Sequence, residues 1–336
     1  MKLEDFGIHL DEILDGKKIA IAKALNLLDN SNPSSLENVK ELIENLGLNA
    51  NPKRHLIGIT GPPGVGKSTL ISRIIQKYRS CNKTVGVISV DPSSRKSGGA
   101  LLGDRARISY NPEDQGVFIR SMAAGQYLGG LAWKTRHLLT LYEAVYDKII
   151  IETVGVGQSE IEIEQVVDTV VFVVQPGSGD SWQFMKAGII EIPHVLVVNK
   201  ADQKNLARKT QNDLKAVASL NSYWRKRGEM EINMVSALEG WGQEKLVDAI
   251  DQHYNFLYTN NLNDKRKKNR IHWIFMLFKE RFGSFGIEVL GGQDKIYQVI
   301  EHGNISNPFS GMNNLTDRMW KIIRSKKIID NSTDVK

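Results

Sequence analysis

Residues 61–68 read GPPGVGKS. Glycines at positions 61, 64 and 66 let the backbone curl so that successive N–H groups point inward. The two residues that close the octet add an ammonium and a hydroxyl. Amides, ammonium and hydroxyl together suit a string of phosphates, with Lys67 reaching the outer phosphates and Ser68 offering an oxygen to a divalent cation. Gly61, Pro62, Pro63, Gly64, Val65, Gly66, Lys67, Ser68 and Thr69 are therefore the expected phosphate-binding residues.

A second stretch, IIIETVGVGQSE at 149–160, sets an acid at the end of an apolar run. A carboxylate there costs roughly several kcal/mol unless its charge is compensated. A bound cation would compensate it. Mg²⁺ arriving with the phosphates fits, with Glu152 near the metal and Gly155 lending its N–H to a γ-phosphate. A third stretch, VDPSSRKSGGALLGDRARI at 90–108, supplies Asp91 and Asp104 as further metal or water ligands. An i,i+3 pairing with Arg107 on a helix is the other reading of Asp104. The expected catalytic set is Lys67, Asp91, Glu152 and Gly155, and the expected metal set is Ser68, Asp91, Asp104 and Glu152.

Residues 199–202, NKAD, suit the base rather than the phosphates. Asp202 can accept from both the ring N–H and the exocyclic amine of guanine. Adenine has an acceptor where guanine has that ring N–H, and a buried pocket of this kind discriminates by ~10⁴ or more. The Lys200 stem can pack on the base, and Asn199 can tie this loop to the phosphate loop. Ser236, Ala237 and Leu238 fit a following loop whose backbone N–H meets guanine O6.

These residues need a frame that brings distant segments to one edge. Short β-branched runs at 55–60, 84–90, 116–120, 147–153, 168–174, 193–199 and 230–236 alternate with helical stretches. Continuous apolar runs separated by helices predict a parallel sheet covered on both faces. Right-handed crossovers then make it a doubly wound α/β domain, with chemistry at the carboxyl ends of its strands. Before it, residues 8–29 carry Ile13, Leu14, Ile21, Leu25 and Leu28 at helical spacing. A second helix bearing Leu36, Val39, Leu42, Ile43 and Leu46 follows, with Ser34 and Glu37 as its capping box. After the sheet, a helix is expected from IHWIFMLF at 271–278, then helical pieces around 293–302 and 313–325. The expected division is a helical N-terminal extension at 1–54, a nucleotide-binding domain at 55–262 and a helical C-terminal arm at 263–336.

Bulk properties narrow the class. A chain of 336 residues, 41% apolar and 24% charged, suits one large domain with appendages or two domains. No apolar run is long enough to span a bilayer, and the start lacks the pattern of a signal peptide. With one cysteine there is neither an intrachain disulfide nor a cysteine metal cluster. A cytoplasmic protein without membrane association is expected. Part of the net charge of +6 sits in KRKKNR at 265–270, read as a solvated linker rather than a nucleic-acid patch, because no aromatic residues interleave it.

Taken together, GITGPPGVGKST, VDPSSRKSGGALLGDRARI, LGGLAWKTR, ETVGVGQSE, PGSGDSWQFMKAG and VVNKAD resemble the ArgK/MeaB family of P-loop GTPases. This family shares a broad class with the signal-recognition-particle and nickel-maturation GTPases. The resemblance covers nearly the whole chain and implies a P-loop fold with helical extensions, GTP/GDP and Mg²⁺ as cofactors, and a homodimer joined through the C-terminal helices. It also implies a chaperone that loads, gates and protects an adenosylcobalamin-dependent acyl-CoA mutase, methylmalonyl-CoA mutase above all. Older descriptions make such proteins transport kinases or ATPases. Two loops depart from the family pattern. AAGQYLGG at 123–130 has its glycine one place early, and PGSGDSWQFMKAG at 176–188 has Ala187 where a second base follows Lys186. A nickel-inserting GTPase is the first rival, but the seven histidines are scattered with no pair at ligand spacing. A transport-associated hydrolase or kinase is the second, and NKAD argues against its ATP.

Overall fold

The computed structural model describes residues 3, 7–29, 36–51, 53–91, 108–123, 133–153, 163–177, 192–220, 232–303 and 308–333. The chain forms two compact units, Met1–Asn260 and Asn261–Lys336.

The first unit opens with helices α1 (Leu10–Leu14), α2 (Lys18–Asp29) and α3 (Leu36–Leu48). The sequence pattern suggests one helix over 8–29, but the chain breaks between α1 and α2, where Gly16 turns with φ 76°. The sheet and its helices follow in the order β1 (His55–Thr60), α4 (Lys67–Ser80), β2 (Val85–Asp91), β3 (Val117–Ala123), α5 (Trp133–Val145), β4 (Lys148–Glu152), β5 (Thr169–Val174), β6 (Val195–Val198), α6 (Lys204–Leu220), β7 (Ile232–Met234) and α7 (Gln243–Asn260). All seven strands are parallel, in spatial order β3-β2-β4-β1-β5-β6-β7. Every residue of β1, β4, β5 and β6 is buried, which explains why these strands are apolar throughout instead of alternating.

One face of the sheet packs Ile57, Ile59, Val87, Ile150 and Val173 against Ile71, Ile74 and Tyr78 of α4 and against Leu246 and Ile250 of α7. α5 lies close against β2: a Cβ at Gly86 would collide with the rings of Tyr142 and Tyr146. α2 and α3 pack in turn on α5. Register fixes what the strand ends present. Ile59 of β1 and Ser89 of β2 both stand beside Glu152 of β4.

The amino ends of the strands hold a second polar cluster. His55, 0% exposed, stacks on Tyr254 at 4.3 Å between centroids. Its Nε2 and the Nδ1 of His253 each lie 2.8 Å from Thr169 Oγ1. Lys148 Nζ donates to Asp251 Oδ1 at 2.6 Å, and Tyr78 donates to the same oxygen at 2.9 Å. Burial pushes the His55 pKa down to about 4. Burial opposes the charge of Asp251, but His55 and Lys148 more than offset it and hold its pKa at about 2. A histidine pKa depressed on folding makes the unfolded chain bind more protons, so stability is lost as pH falls from 6.5 through 4. We expect urea denaturation to show about 2–3 kcal/mol lost through His55 between pH 7 and pH 4.5. His55→Phe, which keeps the stacking surface, should remove most of that difference. An unchanged pH slope in the variant would show that His55 is not its source.

The second unit holds α8 (Leu262–Val289), α9 (Gln293–His302) and α10 (Pro308–Thr333). Ile274, Phe275, Phe278, Ile296, Ile300, Leu315 and Met319 form its core. α8 kinks at Gly283, whose φ of 61° no other residue type adopts cheaply. The KRKKNR run at 265–270 is not a linker, as its charge suggested, but part of α8. Lys and Arg are good helix formers, so a solvated face and a linker read alike in sequence.

Candidate functional site

β1 ends at Thr60, and the GPPGVGKS loop runs from there into α4. Gly61, Gly64 and Gly66 have φ of 144°, 79° and 89°, outside the range of ordinary L-residues. A Cβ on Gly61 would also collide with the Val173 carbonyl on β5. The first turn of α4 carries no acidic residue, so its positive end faces the loop without an internal counter-charge. Val65 is buried beneath the loop. Lys67 is 8% exposed, and its Nζ donates to the carbonyls of Gly61 at 2.8 Å and Pro62 at 3.0 Å. Its charge is thus fixed at the rim of the loop. Pro62 and Pro63 lie within the loop, and Thr69 lies in the first turn of α4.

The acid at the end of β4 sits directly behind this loop. Glu152 is 5% exposed, with Ser68 Oγ donating to one carboxylate oxygen at 3.0 Å and Ser89 Oγ to the other at 3.1 Å. Thr153 continues the layer, donating its hydroxyl to Thr60 Oγ1 at 2.9 Å. Two hydroxyls therefore begin to offset the cost of burying Glu152. The hydroxyl and carboxylate oxygens of Ser68 and Glu152 form a hard donor set, the kind Mg²⁺ takes. Asp91 closes β2, two residues beyond Ser89 and paired in register with Ala123. β4 separates β2 from β1, so Asp91 stands on the far side of the Glu152 strand from the loop. Asp104 and Gly155 lie outside the described residues, as do Lys186 and Ala187. Among the described residues no group of three or more His, Cys, Asp or Glu side chains could hold a metal by itself. The histidines, scattered in sequence, are not all scattered in space: the rings of His194 and His253 lie 4.2 Å apart. They serve the sheet, since His194 Nδ1 accepts the Val170 N–H at 3.0 Å.

NKAD follows β6 and docks onto the phosphate loop. Asn199, 2% exposed, donates through Nδ2 to the Val65 carbonyl at 2.8 Å and accepts the Ala237 N–H at 3.1 Å. One side chain thus joins three segments far apart in the chain. Gly66 must be glycine here as well, because a Cβ would come within 2.6 Å of Asn199 Nδ2. Lys200 sits at φ 56°, uncommon for a non-glycine residue, with Nζ donating to the Gly64 carbonyl at 2.7 Å and to Gln175 Oε1 at 2.6 Å. Its stem therefore crosses from the NKAD turn to the phosphate loop. Asp202 accepts the Ser236 hydroxyl at 2.8 Å. Ser236 is fully buried, whereas Leu238 is 79% exposed. The sequence reading brought Ser236, Ala237 and Leu238 to this place but gave them one shared role. The structure separates them: the Ser236 hydroxyl holds Asp202, Asn199 takes the Ala237 amide, and Leu238 faces outward. Sequence reading missed two further residues, Ser89 and Arg73. A lone hydroxyl inside the apolar run VGVISV was the available signal for Ser89. Nothing local marks Arg73, which reaches the carbonyl of Ala237 164 residues away.

A parallel sheet whose central strand opens into this loop, with the NKAD turn bound to it through Asn199, defines a P-loop GTPase. Residues 21–285 match the family described as Methylmalonyl Co-A mutase-associated GTPase MeaB, and the chain belongs to that family. A Pyrococcus abyssi protein whose name places it among GTPases is 40% identical over 267 residues, covering 77% of this chain and 81% of that one. The mouse protein named methylmalonic aciduria type A homolog, mitochondrial, is 31% identical over 285 residues, covering 80% of this chain and 68% of its own. The solved structure of a LAO/AO transport system kinase superposes with a TM-score of 0.67 at 23% identity, covering 94% of this chain and 96% of that one, and shares the fold. No helix among the described residues is long and apolar enough to cross a membrane.

Proposed function

We propose that this GTPase binds GTP with its phosphates in the 61–68 loop and its guanine against Asp202. Through GTP hydrolysis it would act as chaperone and gate for an adenosylcobalamin-dependent acyl-CoA mutase of the methylmalonyl-CoA type. The observation that carries the nucleotide reading is Asn199, whose one amide group holds both the Val65 carbonyl and the Ala237 N–H. Phosphate and base loops are thereby kept in one register. The mutase reading rests on family membership and on the name of the mouse relative.

Mg²⁺, when bound, would neutralise charge on the phosphates and fix their geometry. Ser68, Asp91, Glu152 and Asp104 are the residues proposed to hold it. Lys67 and the loop amides stabilise charge on the transferring phosphoryl group. Asp91 and Glu152 orient the attacking water, and Gly155 senses the γ-phosphate through its N–H. The partner reads the resulting loop movement. A homodimer through the C-terminal helices is part of the same reading. It is supported by large apolar side chains at the surface of the second unit: Met276 is 42%, Phe285 61% and Trp320 48% exposed.

Val156, not glutamine, follows Gly155 in the chain. A site lacking a water-orienting residue there is expected to turn over at roughly 10⁻⁴ to 10⁻² s⁻¹, and a partner that completes it can add ~10³ to 10⁵. The test is single-turnover GTP hydrolysis with and without a cobalamin-dependent mutase, repeated for Lys186→Ala. Acceleration of the unmodified protein alone assigns coupling to Lys186. Equal acceleration of both removes Lys186 from that role, and acceleration of neither removes this mutase as the client.

A further inference from the structure

Arg73 lies in the second turn of α4, the helix that begins at the phosphate loop. Its Nε donates to the Ala237 carbonyl at 2.8 Å and its Nη2 to the Leu238 carbonyl at 3.0 Å. The guanidinium also rests against Gly240, 3.5 Å from where a Cβ would stand. Two neighbouring carbonyls are thus gripped by one rigid fork, which a lysine cannot reproduce.

The grip has a directional consequence. The Ala237 carbonyl and the Leu238 N–H belong to one trans peptide plane and point opposite ways. Fixing the carbonyl toward α4 turns the Leu238 N–H away from it. The other amides of the turn are taken. Ser236 N–H bonds the Trp241 carbonyl, Ala237 N–H bonds Asn199 Oδ1, Glu239 N–H bonds Ser236 Oγ, and Gly240 N–H bonds the Ser236 carbonyl. The Leu238 N–H has no partner among the described residues. It stands two residues from Ser236, whose hydroxyl holds Asp202 at 2.8 Å.

We propose that Arg73 is a specificity-determining positioning residue that aims the Leu238 amide at O6 of a guanine held by Asp202. The proposal rests on the guanine reading above. It assigns the O6 contact expected of the 236–238 loop to the Leu238 amide and places its control on the phosphate-loop helix.

The test uses GDP, 6-thioguanosine diphosphate and ADP, titrated by calorimetry into the full chain. Sulfur at position 6 is a weak acceptor, while the ring N–H and the exocyclic amine facing Asp202 are kept. The unmodified protein should prefer GDP over the thio analogue by about fivefold to tenfold, the worth of one hydrogen bond. Arg73→Met should bring that preference below about twofold by weakening GDP alone. Arg73→Lys, whose single ammonium keeps the charge but lacks the planar fork that grips both carbonyls, should fall between and carries the test if the methionine variant unfolds. Equal weakening of both nucleotides with the preference intact would mean that Arg73 only supports the fold, and the proposal is overturned. No preference for GDP over the thio analogue in the unmodified protein overturns it too. If ADP binds as well as GDP, the guanine reading fails and takes the proposal with it, a result distinct from the other two.

Discussion

Lys67→Ala is expected to lower GTP turnover by at least ~10²-fold, measured as single-turnover hydrolysis, because it removes a positive charge from the transferring phosphoryl group. The structure sharpens this expectation. Lys67 is 8% exposed, and its ammonium donates to the carbonyls of Gly61 and Pro62. In that low-dielectric setting the charge acts more strongly than it would in water. The same hydrogen bonds brace the loop, so some loss of GDP affinity is expected alongside the loss of turnover. GDP titration separates the effects: a charge that acts mainly on the transition state lowers the rate far more than it weakens GDP. Turnover within about twofold of the unmodified protein would sink the assignment of this loop as the catalytic phosphate site.

The frame was legible because it is built from local pattern. Seven apolar runs became seven parallel strands, displaced by at most three residues at their ends. The apolar runs reveal such strands because both faces of the sheet are covered, so burial leaves no polar alternation to blur them. The phosphate loop was legible for a related reason: its three glycines have positive φ, and the backbone there demands that residue type. Glu152 was legible as an anomaly, an acid ending an apolar run.

What stayed hidden depends on contacts between segments far apart in the chain. Ser89 is one hydroxyl in the run VGVISV. Its value appears only when register sets it beside Glu152. His55 and His253 looked unrelated because 198 positions separate their numbers in the sequence, yet both meet Thr169. Arg73 looks like an ordinary exposed face of an amphipathic helix. The separate roles of Ser236, Ala237 and Leu238 follow from hydrogen bonds to Asp202, Asn199 and Arg73, which no spacing within the tripeptide encodes.

Asp202→Asn is expected to weaken GDP binding by at least ~10²-fold, since it exchanges two charge-assisted hydrogen bonds for opposed donors. Ser236 determines the orientation of the new amide. Its hydroxyl donates to Asp202 Oδ1 at 2.8 Å. In the asparagine variant the amide oxygen keeps that bond, because an NH₂ group cannot accept it. The NH₂ group then occupies the place of Oδ2, where guanine presents its own N–H and NH₂. Xanthine has a carbonyl where guanine has the exocyclic amine, so the variant should bind xanthosine diphosphate better than GDP. ADP presents neither group and should bind weakly to both proteins. Calorimetric titration of the three diphosphates checks all of this at once. A variant that still binds GDP within about twofold of the unmodified protein would remove Asp202 from the base pocket. Equal affinity of the unmodified protein for ADP and GDP would return the transport-type nucleotide hydrolase as the better reading. Ser236→Ala provides the internal control. It leaves the carboxylate charge in place but frees its orientation, so GDP should weaken only about fivefold to tenfold, with no gain for xanthosine diphosphate.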